Sequence, residues 1–134
     1  MTEPILGHGP SKELVTGATG LVGMERLVYR LERGWPTVAL HRASSDVGRV
    51  EAFLRERLGE GFAAAWSGLE WREADLSDVG ALEDAMAGCD RVFHAAGRVS
   101  FRSGDEDRLK AVNAVGTANV VNAALASSTP MSSS

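Results

Sequence analysis

The stretch TGATGLVG, residues 16–23, places three glycines three residues apart, and it decides how the rest of the chain is interpreted. It continues from a predicted short strand, ELVT (13–16), and precedes a predicted helix over residues 21–33. Apolar residues recur in that helix with helical spacing, at Met24, Leu27, Val28 and Leu31. A strand, a glycine-rich turn and a helix N-terminus together favour an anion site, because backbone N–H groups and the helix dipole point at the same place.

Each glycine has its own predicted role in holding a pyrophosphate. Gly17 permits the tight turn, Gly20 lets the diphosphate approach the backbone, and Gly23 lets the helix lie close to the sheet. The spacing is G-x-x-G-x-x-G rather than G-x-G-x-x-G, and no Gly-Lys-Ser/Thr follows, which disfavours an ATPase P-loop. A purely structural turn is the alternative, but the β-α-β setting favours dinucleotide binding. The predicted cofactor contacts in this segment are Gly17, Thr19, Gly20, Leu21 and Val22.

Strands and helices alternate along the whole chain, which favours an α/β fold. The predicted strands are ELVT (13–16), TVALH (37–41), LEWREA (69–74) and RVFHAA (91–96). The first predicted helix covers 21–33 and the last about 105–126. Between them, one helix starts at a cap formed by Ser44, Ser45 or Asp46 and ends at Gly59 to Gly61. Another helix starts at a Ser77 cap. These elements predict a doubly wound parallel sheet truncated to about four strands, in the order 3-2-1-4.

Three segments are expected along the chain. Residues 1–12 are mostly polar and are predicted to form a flexible leader, whereas residues 13–126 form a partial dinucleotide-binding domain. The serine-rich residues 127–134 are predicted to be a disordered tail. The strand at 91–96 would then lie at an edge of the sheet. An edge strand offers backbone N–H and C=O groups to other chains, so self-association is expected there.

Composition limits the classes of function. The 134 residues are 44% hydrophobic and 24% charged, which is typical of one soluble globular domain. The net charge of −4 disfavours a nucleic-acid partner, and no apolar run approaches the roughly 20 residues of a membrane span. The first residues lack the pattern of a secretory signal. The single cysteine, Cys89, cannot form an internal disulfide, which is consistent with a cytoplasmic location.

The second strand indicates which dinucleotide the site prefers. An NAD site commonly has Asp or Glu about 20 residues beyond the glycine loop, where the carboxylate holds the ribose 2′-hydroxyl. Arg42 occupies that neighbourhood here, and the first carboxylate, Asp46, comes later. A guanidinium suits a 2′-phosphate, so NADP is predicted in preference to NAD, which stays the alternative cofactor. The other interpretation of Arg42 is a solvated surface arginine.

Four motifs occur in a fixed order along the chain. They are TGATGLVG (16–23), ADLSD (74–78), VFHAAGRVSF (92–101) and VNAVGTANVVNAAL (112–125). In this order they resemble the extended short-chain dehydrogenases/reductases of the NAD-dependent epimerase/dehydratase superfamily, and they are most similar to the dihydroflavonol-reductase-like branch. The resemblance covers about residues 13–126 and implies a Rossmann-like fold that binds NAD(P)(H).

The resemblance also implies site residues beyond the glycine loop. Asp75 would face the adenine amino group, with Leu76 beside it. Ala95, Ala96 and Gly97 would line the ribose side of the cofactor. The alternatives are that Asp75 caps the helix that follows it, and that the three small residues serve packing alone.

Two further residues have both a functional and a structural interpretation. Asn113 matches the helix asparagine of the family, which supports the active-site region through hydrogen bonds, and the alternative is a solvated residue without a role. His94 lies inside an apolar strand and is interpreted as a core histidine whose polar atoms are satisfied, rather than as a catalyst.

The proton donor that the resemblance implies is absent from the sequence. Relatives use a Tyr-x-x-x-Lys pair, in which the cation lowers the pKa of the tyrosine hydroxyl from its usual value of about 10. The only tyrosine, Tyr29, is followed four residues later by Arg33 and lies in the first predicted helix. The histidines His8, His41 and His94 fit no triad or metal spacing. We therefore predict no catalytic and no metal-binding residue in this chain.

Three functions are compatible with these observations. The first is the NAD(P)(H)-binding portion of a short-chain-type oxidoreductase that reduces a carbonyl such as a ketone or aldehyde, inactive alone without the missing pair. The second is a non-enzymatic dinucleotide-binding regulatory protein. The third is a truncated product without an independent role, which the serine-rich end favours.

Overall fold

One sheet with flanking helices accounts for the described part of the chain. The computed structural model describes residues 11–95, 117–127 and 129–133. The strands are β1 (Glu13–Thr16), β2 (Thr37–His41), β3 (Glu70–Glu73), β4 (Arg91–His94) and β5 (Met131–Ser133). The helices are α1 (Leu21–Glu32), α2 (Val47–Leu58), α3 (Phe62–Gly68) and α4 (Val79–Ala85), with a 3₁₀ turn at Gly59–Gly61, and residues 117–126, called α5, are also helical.

Five parallel strands pair in the order β3-β2-β1-β4-β5. Apolar residues on both faces of this sheet form the core. On one face Leu14, Val38 and Val92 pack with residues of α4 and α5, and on the other Val15 and Ala39 pack with residues of α1, α2 and α3. Helices therefore cover both faces of a parallel sheet, and the predicted Rossmann-like α/β fold with the order 3-2-1-4 is confirmed.

The last residues differ from the sequence prediction of a disordered tail at 127–134 and a sheet edge at 91–96. Met131–Ser133 form β5 and lie parallel to β4, with the Val92 N–H donating to the Pro130 carbonyl at 2.9 Å. β4 is therefore an interior strand, and β5 takes the outer edge. Backbone hydrogen bonds hold a short strand in a sheet, so serines can form it without the apolar alternation that sequence analysis relies on.

Short acidic side chains cap two of the helices. Asp46, one of three predicted candidates, caps α2 by accepting a hydrogen bond from the Arg49 N–H at 3.0 Å. The cap of α4 is Asp78, which accepts from the Ala81 N–H at 3.0 Å, and the prediction of Ser77 at this position is wrong. Ser77 lies one residue before the cap, and its hydroxyl donates a hydrogen bond to the Asp75 carboxylate in the preceding loop instead of accepting one from the helix.

α3 is a short helix in a segment to which the sequence analysis assigns no element. Phe62 is buried in the core and stacks on Trp66 one turn later, with ring centroids 5.5 Å apart. Tertiary packing of these two rings therefore stabilises a helix that the neighbouring glycines disfavour. Within the described ranges, this helix and the others lack the length and apolar content needed to cross a membrane.

An ion cluster is buried at the amino ends of the strands. The Glu13 carboxylate at the start of β1 is fully buried and accepts two hydrogen bonds from Arg26, at 2.7 and 2.8 Å. Arg91 Nε lies 3.1 Å and Arg30 Nη1 lies 3.5 Å from the same carboxylate. Arg30 is itself fully buried and donates to the Thr37 hydroxyl at 3.1 Å. The cluster ties the first residues of β1, β2 and β4 to α1.

Candidate functional site

The glycine loop joins the carboxyl end of β1 to α1. Gly17 has a φ of +63°, a conformation that favours glycine, and a Cβ atom there would lie 2.7 Å from the Ala95 carbonyl oxygen. The loop therefore passes directly against the end of β4. The Gly20 N–H donates to the Gly17 carbonyl at 3.0 Å and closes the turn. Backbone conformation and close packing thus both exclude a side chain at position 17.

α1 approaches the loop so closely that Gly23 has no room for a side chain. A Cβ atom on Gly23 would lie 2.0 Å from the Gly17 carbonyl oxygen and 2.8 Å from the Ala18 Cα atom. Among the described residues, a Cβ atom on Gly20 would approach the Gly17 carbonyl oxygen alone, at an ordinary distance of 3.5 Å. Packing therefore accounts for Gly17 and Gly23, whereas the described residues leave space in front of Gly20.

The first turn of α1 presents backbone N–H groups at this opening. Gly20 is the N-cap and offers no side-chain acceptor, and the first turn contains no carboxylate. The first intrahelical hydrogen bond runs from the Met24 N–H to the Gly20 carbonyl at 2.9 Å. The N–H groups of the three residues before Met24, together with the helix dipole, attract an anion. Leu21 is exposed here, and Thr19 and Val22 are half-buried.

Two charged side chains follow the next strands at the same edge of the sheet. Arg42 is exposed directly after β2, and Asp75 follows β3. Asp75 Oδ1 accepts hydrogen bonds from the backbone N–H and the hydroxyl of Ser77, at 2.8 and 2.7 Å. These bonds lower the pKa of the Asp75 carboxyl below its usual value, and the positive charge of Arg42 lowers it further. Asp78 caps α4, so the alternative role of Asp75 as that cap is wrong.

His94 connects the strand before the glycine loop to α5. Its Nδ1 lies 2.6 Å from the Thr16 hydroxyl, and its Nε2 lies 3.0 Å from the Thr117 hydroxyl. Thr16 directly precedes Gly17, so these hydrogen bonds join β1, β4 and α5 beside the loop. Burial lowers the pKa of the His94 imidazole below its usual value. Because both ring nitrogens have partners in a buried position, the interpretation of His94 as a satisfied core histidine is confirmed.

The burial of His94 predicts a loss of stability in mild acid. Below about pH 6.5 the unfolded chain binds a proton at this residue that the folded chain, with its lowered pKa, does not bind. The free energy of unfolding should therefore fall between about pH 7.5 and about pH 5.5, above the range in which carboxylates titrate. Urea unfolding measures this change, and the His94→Gln variant should lose this part of it. An equally steep pH dependence in His94→Gln would contradict the prediction.

Asn119 on α5 contributes a contact that sequence analysis did not single out. Its Nδ2 donates a hydrogen bond to the Leu76 carbonyl at 2.7 Å, across 43 positions of the chain. The motif VNAVGTANVVNAAL contains three asparagines, and the family resemblance selects Asn113. Only the packing of α5 against the sheet shows that Asn119 contacts the loop after β3.

The structure brings most of the predicted site residues to one edge of the sheet, at the carboxyl ends of β1 to β4. They are Gly17, Thr19, Gly20, Leu21, Val22, Arg42, Asp75, Leu76 and Ala95. Ala96, Gly97 and Asn113 lie outside the described residues. Tyr29 is on the exposed side of α1, with the Arg33 guanidinium 3.7 Å from its ring centre. The role of each residue in holding a cofactor stays a prediction.

Comparison with known proteins gives the relatives of the chain. The NAD dependent epimerase/dehydratase family matches residues 13–132. Sterol demethylase protein B of Methylococcus capsulatus is 36% identical over 104 residues, which are 78% of this chain and 27% of that protein. Dihydroflavonol 4-reductase of Arabidopsis thaliana is 34% identical over 93 residues, which are 69% of this chain and 23% of that protein. The chain therefore spans about a quarter of the length of these curated relatives.

A solved structure agrees with these sequence matches. The Citrobacter sp. triphenylmethane reductase complexed with NADP(H) has a TM-score of 0.58 and 25% sequence identity, over 91% of this chain and 36% of that chain. The resemblance to the extended short-chain dehydrogenases/reductases and their dihydroflavonol-reductase-like branch is thus confirmed. Since sequence matches and fold agree, the chain belongs to the NAD dependent epimerase/dehydratase family.

Proposed function

We propose that this chain is the nicotinamide-dinucleotide-binding part of a reductase-type oxidoreductase. The observation that carries the proposal is the N-terminus of α1, which no side chain of the described residues caps and which Gly17 and Gly23 allow to pack against the loop. A diphosphate suits this arrangement, because it accepts several backbone N–H bonds and interacts favourably with the helix dipole. The space that the described residues leave at Gly20 would give the diphosphate its approach to the backbone.

The adenosine half of the dinucleotide would extend from the loop towards the end of β3. Asp75 would accept a hydrogen bond from the adenine amino group, with Leu76 beside the ring. In the described part of the chain, Asp75 Oδ1 is held by Ser77 while Oδ2 accepts no hydrogen bond, so Oδ2 is the oxygen that suits the amino group. The ionised state of this carboxylate, favoured by its lowered pKa, supports the role of an acceptor.

The other half of the dinucleotide would run past the end of β4. Ala95, Ala96 and Gly97 would line the ribose side, and Asn113 would support the active-site region through hydrogen bonds. The close approach of the Ala95 carbonyl oxygen to Gly17 supports this assignment, because it puts the end of β4 directly beside the loop. Small residues suit a surface against which a cofactor lies.

The reaction that we propose for the complete site is reduction of a carbonyl such as a ketone or an aldehyde. NAD(P)H supplies the hydride when it is bound, and the protein orients it and moves a proton. We propose that the 134-residue chain does not turn over substrate alone, because it lacks a Tyr-x-x-x-Lys pair: four residues after Tyr29, its only tyrosine, stands Arg33 in place of a lysine. The reductases among its relatives support this class of reaction.

Titration of the 134-residue chain with NADPH and with NADH tests the proposal. We expect saturable binding of NADPH, with the amide NMR signals of residues 17–23 and 75–77 shifting as the ligand is added. Failure of a folded sample to bind either dinucleotide would overturn the proposed function. Oxidation of NADPH by a small ketone or aldehyde, at a rate that is the same in Tyr29→Phe as in the unmodified chain, would show that the chain is active without the missing pair.

Arg42→Ala is expected to weaken NADPH binding about tenfold and to leave NADH binding within about twofold. The guanidinium follows β2 at the same edge as Asp75, where a 2′-phosphate accepts charge-assisted hydrogen bonds that a 2′-hydroxyl cannot match. Calorimetric titration of both cofactors measures the difference. Arg55→Ala removes an exposed arginine that pairs with Glu51 on α2, and it should change neither affinity. Equal losses for NADPH and NADH in Arg42→Ala would reject the preference for NADP.

A further inference from the structure

α5 sends two polar side chains to the carboxyl edge of the sheet. Thr117 meets His94 at the end of β4, and Asn119 donates to the Leu76 carbonyl at 2.7 Å. The Asn119 side chain is partly buried, and the apolar side of α5, with Val120 and Ala123, packs into the same core that Leu76 contacts. α5 therefore has a fixed position from which Asn119 reaches the loop between β3 and α4.

That loop is otherwise closed mainly by bonds between near neighbours. The Asp78 N–H donates to the Asp75 carbonyl at 3.0 Å, and Ser77 donates twice to the Asp75 carboxylate. These bonds fix the shape of the turn, but they move with it as a unit and do not fix where the turn lies relative to the glycine loop. Packing of the Leu76 side chain on the core and the hydrogen bond from Asn119 to the Leu76 carbonyl do so, and this hydrogen bond holds the backbone of the turn to a separate helix.

We propose that Asn119 is a positioning residue for the adenosine half of the dinucleotide. It touches no reacting atom, and it acts by holding the Leu76 carbonyl so that the neighbouring Asp75 carboxylate keeps its orientation at the strand ends. Loss of this bond leaves the Leu76 carbonyl without its α5 partner and lets the turn shift. The effect is confined to the adenosine end, since the glycine loop is held by its own contacts with Ala95 and α1. This inference rests on the proposed function for its ligand.

Asn119→Ala and Asn122→Ala in the 134-residue chain form a matched pair of variants. Asn122 is exposed on the same helix, so its substitution controls for the change in residue type on α5. Adenosine 2′,5′-bisphosphate is the probe of the adenosine end, and inorganic pyrophosphate is the probe of the glycine loop. We expect Asn119→Ala to weaken the nucleotide about tenfold and pyrophosphate by less than about twofold, and Asn122→Ala to change neither.

Amide hydrogen exchange supplies a readout that does not need a ligand. In Asn119→Ala the N–H groups of Ser77 and Asp78 should exchange at least about tenfold faster, whereas those of Gly20 and Met24 should keep their rates. A general loss of stability would instead raise exchange at all four sites and weaken both probes equally. That outcome, or unchanged exchange at Ser77 and Asp78, would overturn the positioning role.

Asn119→Asp is a second variant of nearly the same volume, which replaces the amide donor with an acceptor that faces a carbonyl. It should reproduce the selective loss of nucleotide binding. Failure of both Asn119 variants to fold, with Asn122→Ala folded, would assign Asn119 to stability alone and overturn the inference. If the unmodified chain binds neither probe, the proposed function fails, and the exchange comparison still decides whether Asn119 holds the turn.

Discussion

Gly23→Ala is expected to abolish measurable dinucleotide binding and to destabilise the fold by about 3 kcal/mol. The added Cβ atom would lie 2.0 Å from the Gly17 carbonyl oxygen and 2.6 Å from its carbonyl carbon. Both are backbone atoms of a turn that already contacts Ala95, so rotation of a flexible side chain cannot relieve the clash. α1 must move away from the loop, which separates the first-turn N–H groups from the place where the diphosphate would lie.

Gly80→Ala provides the matched control for that substitution. Gly80 also lies in the first turn of a helix, and its Cβ atom would meet only the Asp78 Oδ1 atom, at 3.5 Å, within the described part of the chain. Alanine there should be neutral or stabilise α4 by up to about 1 kcal/mol, since its helix propensity exceeds that of glycine. Urea unfolding and NADPH titration of both variants measure the contrast. Normal stability in Gly23→Ala would refute the close approach of α1 to the loop.

Glu13→Gln is expected to cost about 3–5 kcal/mol of unfolding free energy, the range for breaking a buried ion pair. The carboxylate is fully buried and lies within 3.5 Å of the guanidinium groups of Arg26, Arg30 and Arg91. Glutamine removes the negative charge that compensates these cations while the fully buried Arg30 remains in place. The first residues of β1, β2 and β4, which the cluster connects, should then separate early in unfolding.

Glu51→Gln is the control for removing a carboxylate that pairs with an arginine at the surface. Glu51 contacts Arg55 one turn away at 2.9 Å on the exposed side of α2, where such a pair contributes about 0.5 kcal/mol or less. Any Glu13→Gln protein that stays folded should keep its affinity for NADPH, because Glu13 begins β1 and the loop follows the other end of that strand. A cost below about 1 kcal/mol would mean that water or another anion compensates the arginines.

Local patterns made much of the fold predictable from the sequence. The short strand before the glycine loop, the helical spacing in α1 and the polar cap at Asp46 are each properties of near neighbours, and the structure has all three elements in place. The glycine loop was predictable for the same reason, since a turn with a positive φ at Gly17 and a close helix at Gly23 requires glycine at those positions. Parallel order then follows from the alternation of strands and helices.

Contacts between distant segments were not predictable in this way. β5 consists of Met131–Ser133 and forms because the backbone of β4 offers it partners, whereas its own side chains show no strand pattern. The choice of Asp78 over Ser77 as the α4 cap is a local matter that residue type alone does not decide, because both side chains can cap a helix and the Ser77 hydroxyl donates to Asp75 instead. The Glu13 cluster likewise brings together arginines from α1 and β4 that share no local motif with it.

The sequence by itself determined the doubly wound α/β fold, the glycine loop at the end of β1 and the absence of a Tyr-x-x-x-Lys pair. Each of these depends on patterns of residue types within short segments of the chain. The tertiary structure alone decided that Asn119 holds the loop after β3, that His94 bridges Thr16 and Thr117, and that a fifth strand covers β4. These features join segments far apart in the chain. Their hydrogen bonds depend on how helices pack on the sheet, and the spacing of residues along the chain does not predict that packing.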